Sequence, residues 1–213
     1  MVSHVVFDFD GTLADSLEVA VELYNGIAEQ RGYAEITKQN LAELRGLSIL
    51  ERCRRLGVPA HRLPALVVEI GRLLRHSAER VTLHEGMPEL LRTLHSRGLG
   101  VAIASTNREE TIRAILVREG LAELVGEVCC SSRLFGKAHL LRGVLRRAGA
   151  APTQLVYVGD EHRDIEASRA VGLRVIGVTW GADDPQRLRE AAPDALVTAP
   201  AQIAELVQRW SSS

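Results

Sequence analysis

Two carboxylates, Asp8 and Asp10, end the apolar run in the stretch VVFDFDGTLADS (residues 5–16), and Gly11 and Thr12 follow at once. A carboxylate leaving a buried strand is costly unless it is paired, solvated or bound to a metal. Past the end of the strand, both side chains can turn toward one ligand. Two hard oxygen donors beside a glycine that tolerates unusual backbone angles suit an octahedral Mg2+. With a cation beside it, Asp8 can approach a phosphate without like-charge repulsion and attack it, forming an aspartyl-phosphate. Asp10 can then act as the acid or base that handles the leaving group and water. Capping of the next helix by Asp15 or Ser16 accounts for one of those two residues but leaves Asp8 and Asp10 unexplained.

Three further stretches carry polar residues in places where chemistry is possible. IASTNREE (103–110) offers Ser105, Thr106 and Asn107 ahead of a helix, a phosphate-binding arrangement of hydroxyls and backbone amides. Taken alone, it reads more readily as a helix cap, since Ser, Thr and Asn are the usual caps. RLFGKAHLL (133–141) puts Lys137 at a helix start, where the dipole does not favour a cation. That mismatch permits a lysine aimed at phosphate oxygens and at the nucleophilic carboxylate. VYVGDEHRDIEASRAVG (156–172) has Asp160 at a strand end and Asp164 one turn later, a spacing that can bring two carboxylates to one cation.

The elements that must position these residues are short, continuous apolar runs: 4–9, 99–105, 155–160, 173–179 and 194–199, with 126–132 a weaker sixth. Continuous rather than alternating runs indicate strands buried on both faces, as in a parallel sheet. Helical patterns at 86–97, 108–119, 137–149, 162–171 and 200–210 lie between them. This alternation predicts right-handed βαβ units, and so an α/β fold with a doubly wound, Rossmann-like parallel sheet. The first three strands end in Asp8, Ser105 and Asp160, and ligands bind at the carboxyl ends of such strands. Residues 15–82 break the alternation with helical stretches separated by Gly and Pro, and read as an inserted α-helical cap. The expected division is a core of 1–14 and 83–213 with a cap of 15–82.

Composition narrows the function. The chain has 213 residues, 46% of them hydrophobic and only 4% aromatic, enough aliphatic material for a sizeable core. A formal net charge of −1, with no block of like charge, gives no electrostatic case for nucleic acid or an anionic membrane as partner. The N-terminal residues show no signal peptide, no stretch approaches a membrane span, and three cysteines without metal-ligand spacing read as reduced thiols. The expectation is a cytoplasmic protein; its oligomeric state is not written in the sequence.

DFDGT, a Ser or Thr after the second main strand, a single Lys and then GDEHRD, in this order, resemble the haloacid dehalogenase-like hydrolase superfamily over essentially the whole chain, on its phosphoglycolate phosphatase-like side. The resemblance implies Asp8 as nucleophile and Asp10 as general acid and base. It implies a Mg2+ cofactor held by Asp8, the Asp10 backbone carbonyl and Asp160, with Asp164 in support. Ser105 and Lys137 would bind the phosphoryl group; the hydroxyl aligns with Ser105 by strand register and with Thr106 by the TN that follows. ELRGLS (43–48) is similar to the cap loop that reaches over the site, which makes Arg45 a substrate-contact candidate, with a solvated helix-end arginine as the alternative. Trp180, in IGVTWGADDP, reads as packing. The function implied is a phosphatase for a small phosphorylated metabolite, phosphoglycolate or a sugar phosphate. A phosphosugar mutase of the same superfamily and a non-catalytic phospho-acceptor or binding protein are the alternatives. A dehalogenase is disfavoured, because family dehalogenases lack the second aspartate.

Overall fold

The computed structural model describes residues 1–131 and 136–211. The chain begins with β1 (His4–Phe7) and β2 (Ala14–Asp15). Four helices follow, α1 (Leu17–Arg31), α2 (Lys38–Arg45), α3 (Ile49–Arg55) and α4 (Leu63–His76), and then β3 (Thr82–Leu83). From there helices and strands alternate: α5 (Met87–Ser96), β4 (Gly100–Ser105), α6 (Glu109–Arg118), β5 (Glu127–Cys130), α7 (Lys137–Ala148) and β6 (Leu155–Gly159). The remainder is α8 (His162–Arg169), β7 (Arg174–Val178), α9 (Pro185–Glu190), β8 (Ala195–Val197) and α10 (Ala201–Ser211).

Six strands pair in parallel in the order β5-β4-β1-β6-β7-β8, so the fold is α/β and Rossmann-like. Alternate residues of each strand feed two cores. Val5, Phe7, Val101, Ile103, Val156 and Val158 pack on one face with α5, α6 and α10. Val6, Ala102, Ala104, Leu155 and Tyr157 pack on the other with α7, α8 and α9. Burial on both faces is why the strands read as unbroken apolar runs. The chain leaves β1 toward β4 and β5, then returns to β6 on the other side, so the winding reverses at β1. Phe7 is in register with Ile103 and Val158. Continued past the strand ends, that register sets Asp8 beside the last residues of β4 and β6 and opens a crevice there.

Helices α1 to α4 share an apolar cluster of their own, built on Tyr24, Ile27, Leu44, Cys53, Leu56, Leu63 and Leu66. Reciprocal capping boxes start α2 (Thr37 with Asn40) and α3 (Ser48 with Glu51). The expected boundaries at 14/15 and 82/83 fall inside a two-stranded antiparallel ribbon, Ala14 opposite Leu83 and Asp15 opposite Thr82. That ribbon and α9 are absent from the sequence reading: two-residue strands are too short to show a period, and α9 has a single buried residue, Leu188. The first strand ends at Phe7 rather than at residue 9, which leaves Asp8 to the crevice. Ser132, the last residue of the weak sixth run, and Arg133–Phe135 of the lysine stretch lie outside the described residues, as do Ser212 and Ser213. Among the described residues, no helix is long and apolar enough to cross a membrane.

Candidate active site

Three acids, two from strand ends and one from the first turn of a helix, meet in the crevice. One carboxylate oxygen from each of Asp8, Asp160 and Asp164 lies within 4.8 Å of the other two, and all three residues are buried. Asp8 follows β1, with its N–H donating to Val158 O at 2.8 Å and its own Oδ1 accepting from Phe9 N–H at 2.8 Å. Asp160 follows β6. Its Oδ1 accepts from Thr12 Oγ1 at 2.6 Å and its Oδ2 from Ala182 N–H at 2.7 Å. The backbone of Gly11, at φ +79°, passes so close that a Cβ there would overlap the Asp160 carboxylate. Asp164, in the first turn of α8, accepts from the N–H groups of Asp160 and Glu161 at 3.1 Å each.

Lys137, the first residue of α7, reaches into this group. Its Nζ donates to Asp8 Oδ2 at 2.6 Å and to Asp164 Oδ1, and lies 5.5 Å from the centroid of the Tyr157 ring. Burial pulls its pKa down, but Asp164 and Asp8 outweigh that and hold the ammonium charged, its pKa well above the ordinary lysine value. Burial raises Asp8 to about 7, against the opposing pull of Lys137. Burial also holds Asp160 well above the usual carboxylate range, with Glu161, Asp164 and Asp8 adding to the effect. A group of buried carboxylates that offers only oxygen donors is a fit environment for a hard divalent cation such as Mg2+.

Asp10 stands apart from the three-acid group. It is half-buried, and its Oδ2 accepts from Asn107 Nδ2 at 3.1 Å. Burial raises its pKa, and hydrogen bonds from Ser16 and Asn107 moderate the rise. Two capping expectations fail here. Ser16 occupies the N-cap position of α1 without a side-chain cap bond, because its hydroxyl serves Asp10. The N-cap of α6 is Arg108, so Ser105, Thr106 and Asn107 precede the helix rather than cap it. Ser105 is buried and its Oγ accepts from Asn107 N–H at 3.0 Å. Thr106 lines a cavity of about 230 Å3 together with Asp8, Asp10, Asn107 and Asp160. The opposite wall is apolar, made by Leu17 and Ala20 of α1 and by Val67, Ile70 and Leu74 of α4.

The structure thus brings Asp8, Asp10, Thr106, Asp160 and Asp164 to one crevice, with Lys137 bonded to Asp8 and Asp164 and Ser105 to the neighbouring Asn107. Arg45 does not join them: its guanidinium is tied to backbone carbonyls of the loop after β7, at 2.7 Å from Gly181 O. Trp180 packs, edge-on to His84 with ring centroids 6.2 Å apart, and donates from Nε1 to Thr12 O at 3.1 Å. The sequence reading gave Ser16 a helix-capping role and grouped Asn107 with Ser105 and Thr106, but it foresaw neither their bonds to Asp10 nor the bond from Thr12 to Asp160.

The haloacid dehalogenase-like hydrolase family matches residues 5–178. A phosphoglycolate phosphatase from Synechococcus elongatus is 37% identical over 203 residues, 95% of this chain and 96% of that one. A phosphoglycolate phosphatase from Xanthomonas campestris is 33% identical over 219 residues, 94% of each chain. A haloacid dehalogenase-like hydrolase from Streptococcus pneumoniae superposes with a TM-score of 0.80 at 18% identity, over 96% of this chain and 98% of that one. The chain belongs to the haloacid dehalogenase-like hydrolase family and, within it, to the phosphatases that resemble phosphoglycolate phosphatase.

Proposed function

We propose that the protein is a Mg2+-dependent phosphomonoesterase for a small phosphorylated metabolite, with 2-phosphoglycolate the first substrate to try, and that it works through an aspartyl-phosphate on Asp8. The observation that carries this reading is Lys137 bonded to both Asp8 and Asp164, with Asp160 in the same group, where Asp8 and Asp160 line a cavity of about 230 Å3. The relatives named phosphoglycolate phosphatase support the choice of substrate.

Asp8, Asp160 and the Asp10 backbone carbonyl would hold the Mg2+, with Asp164 in support; when bound, the cation neutralises charge on the phosphoryl oxygens. Asp8 attacks phosphorus in line. Lys137, Ser105 and Thr106 offer donors to the equatorial oxygens as negative charge spreads over them. Asp10, its pKa raised by burial and its Oδ2 held by Asn107, gives its proton to the leaving alkoxide. The resulting carboxylate then takes a proton from the water that hydrolyses the acyl phosphate. We assign residues 15–82 as the cap and 1–14 with 83–213 as the core. The apolar wall from α1 and α4 excludes water and leaves room for a small leaving group. The free thiols of Cys53, Cys129 and Cys130 suit a cytoplasmic setting.

The test is phosphate release from an aryl phosphate and from a panel of phosphometabolites that includes 2-phosphoglycolate and small sugar phosphates. Asp8→Asn should abolish release while its circular dichroism stays that of the parent. Activity unchanged in Asp8→Asn, or in excess chelator, would overturn the reading. A hexose phosphate isomerised without free phosphate would mark a mutase instead.

A further inference from the structure

The loop after β7, residues 179–184, is held from two sides. Toward the acids, Ala182 N–H donates to Asp160 Oδ2 at 2.7 Å and Asp183 N–H to Asp160 O at 3.3 Å. Gly181 lies so close to Asp160 that a Cβ would overlap its carboxylate. Toward the helical segment, Arg45 at the end of α2 donates from Nη2 to Gly181 O at 2.7 Å and to Thr179 O and Asp183 O at 3.3 Å each. Asp184 N–H returns a bond to Arg45 O at 3.0 Å. Arg52 of α3 pairs with Asp183 Oδ1, and its Nη2 also donates to Arg45 O at 3.2 Å. Asp183 is only 4% exposed; its Oδ2 accepts from His162 N–H at 2.6 Å and Arg187 Nε at 3.3 Å.

Gly181 is therefore a joint, with Asp160 against its Cα and Arg45 on its carbonyl. Neither arginine lines the cavity. We infer that Arg45 and Arg52 are positioning residues for Asp160: by seating α2 and α3 on the 179–184 loop, they set the divalent-cation affinity of the acid cluster. The inference rests on the metal reading given under the proposed function. Its physical basis is that outer hydrogen bonds fix the orientation of a ligand, and that losing one weakens metal binding by about 10- to 100-fold. An acid free to rotate loses the alignment that two fixed donors impose. A purely structural tie between the segments would instead change folding stability and leave cation affinity alone.

The experiment measures the Mg2+ dissociation constant of the full-length protein, with no substrate present, from the rise of Tm with Mg2+ concentration. Arg45→Met and Arg52→Met should each weaken binding by about tenfold or more. Arg45→Lys should recover part of the loss, because an ammonium can still donate to Gly181 O. Arg55→Met removes a surface pair with Glu43 and should bind as the parent does. If Arg45→Met does not fold, the same comparison is made with Arg45→Lys and Arg52→Lys, each expected to weaken binding by a smaller factor. Unchanged affinity in the folded Arg45 and Arg52 variants, or an equal loss in Arg55→Met, overturns the inference and leaves the phosphatase reading intact. A parent protein that takes up no Mg2+ overturns the metal reading and this inference together.

Discussion

Replacing Lys137 by Met keeps most of the aliphatic stem and removes the ammonium in contact with Asp8 and Asp164. The side chain of Lys137 is 5% exposed, and those of its partners 8% and 0%. Removing one member of a buried ion pair costs about 3–5 kcal/mol, because the charge left behind has neither water nor partner. Here two carboxylates are left, with Asp160 close by. Opposing this, the variant no longer desolvates an ammonium, and one acid can take up a proton, so the loss should stay within that range. In a domain of this size each kcal/mol moves Tm by about 2–4 °C, which makes the expected drop about 6–20 °C. Arg113→Met is the control. It breaks an exposed i,i+4 pair with Glu109, worth about 0.3–0.5 kcal/mol. Urea unfolding with metal chelated measures both variants. Saturating Mg2+ should then narrow the Lys137→Met deficit, since a cation at hundredfold its Kd adds about 2.7 kcal/mol and the variant offers it more uncompensated charge. A loss below about 1 kcal/mol in chelator, or a deficit that widens with Mg2+, would refute the view that Lys137 balances the acids.

Three further outcomes are expected. Gly11→Ala places a Cβ at φ +79° and against Asp160; the backbone strain alone costs about 1–2 kcal/mol, so urea unfolding should show at least that loss, with weaker Mg2+ binding alongside. Asn107→Ala removes the 3.1 Å donor to Asp10, and kcat for an aryl phosphate should fall by about tenfold or more, the worth of one hydrogen bond to a charged group. Leu91→Ala empties a fully buried position of the core and should cost about 2–5 kcal/mol in urea unfolding while leaving the Mg2+ dissociation constant unchanged.

What the sequence disclosed follows the physics of each element. All six sheet strands were readable, because burial on two faces leaves unbroken runs such as LVYV that no helix period explains. The acids were readable because charge at the end of such a run needs a reason. The destination of polar side chains was much less so. Ser16 and Asn107 have the composition of helix caps, and only the folded structure shows that their side chains donate to Asp10 instead. Arg45 shows the same limit: its place near the site was legible from ELRGLS, but its partners are backbone carbonyls 134–138 residues away, which leave no trace in residue type.

The way the acids are satisfied bears on how the site can exist before any cation arrives. Each carboxylate has about four lone-pair directions. Asp160 gives one on each oxygen to donors from opposite neighbours in the sheet, Thr12 beyond β1 and Ala182 beyond β7. Asp164 turns one oxygen to its own helix start and the other to Lys137. Asp8 divides its oxygens between Phe9 N–H and Lys137. None of the three is left bare, so the protein itself offsets part of the desolvation that would otherwise expel a buried carboxylate, although burial still raises Asp8 and Asp160. None is saturated either, so a cation can be added without breaking the bonds that fix the geometry. A single lysine would leave the group negative even with one acid protonated, and that residual charge favours a cation over a second anion until Mg2+ is bound. The order this implies is metal first and phosphate second: inorganic phosphate should bind the chelated protein far more weakly than the Mg2+-loaded one, and equal binding in both would show that Lys137 and the backbone amides alone suffice.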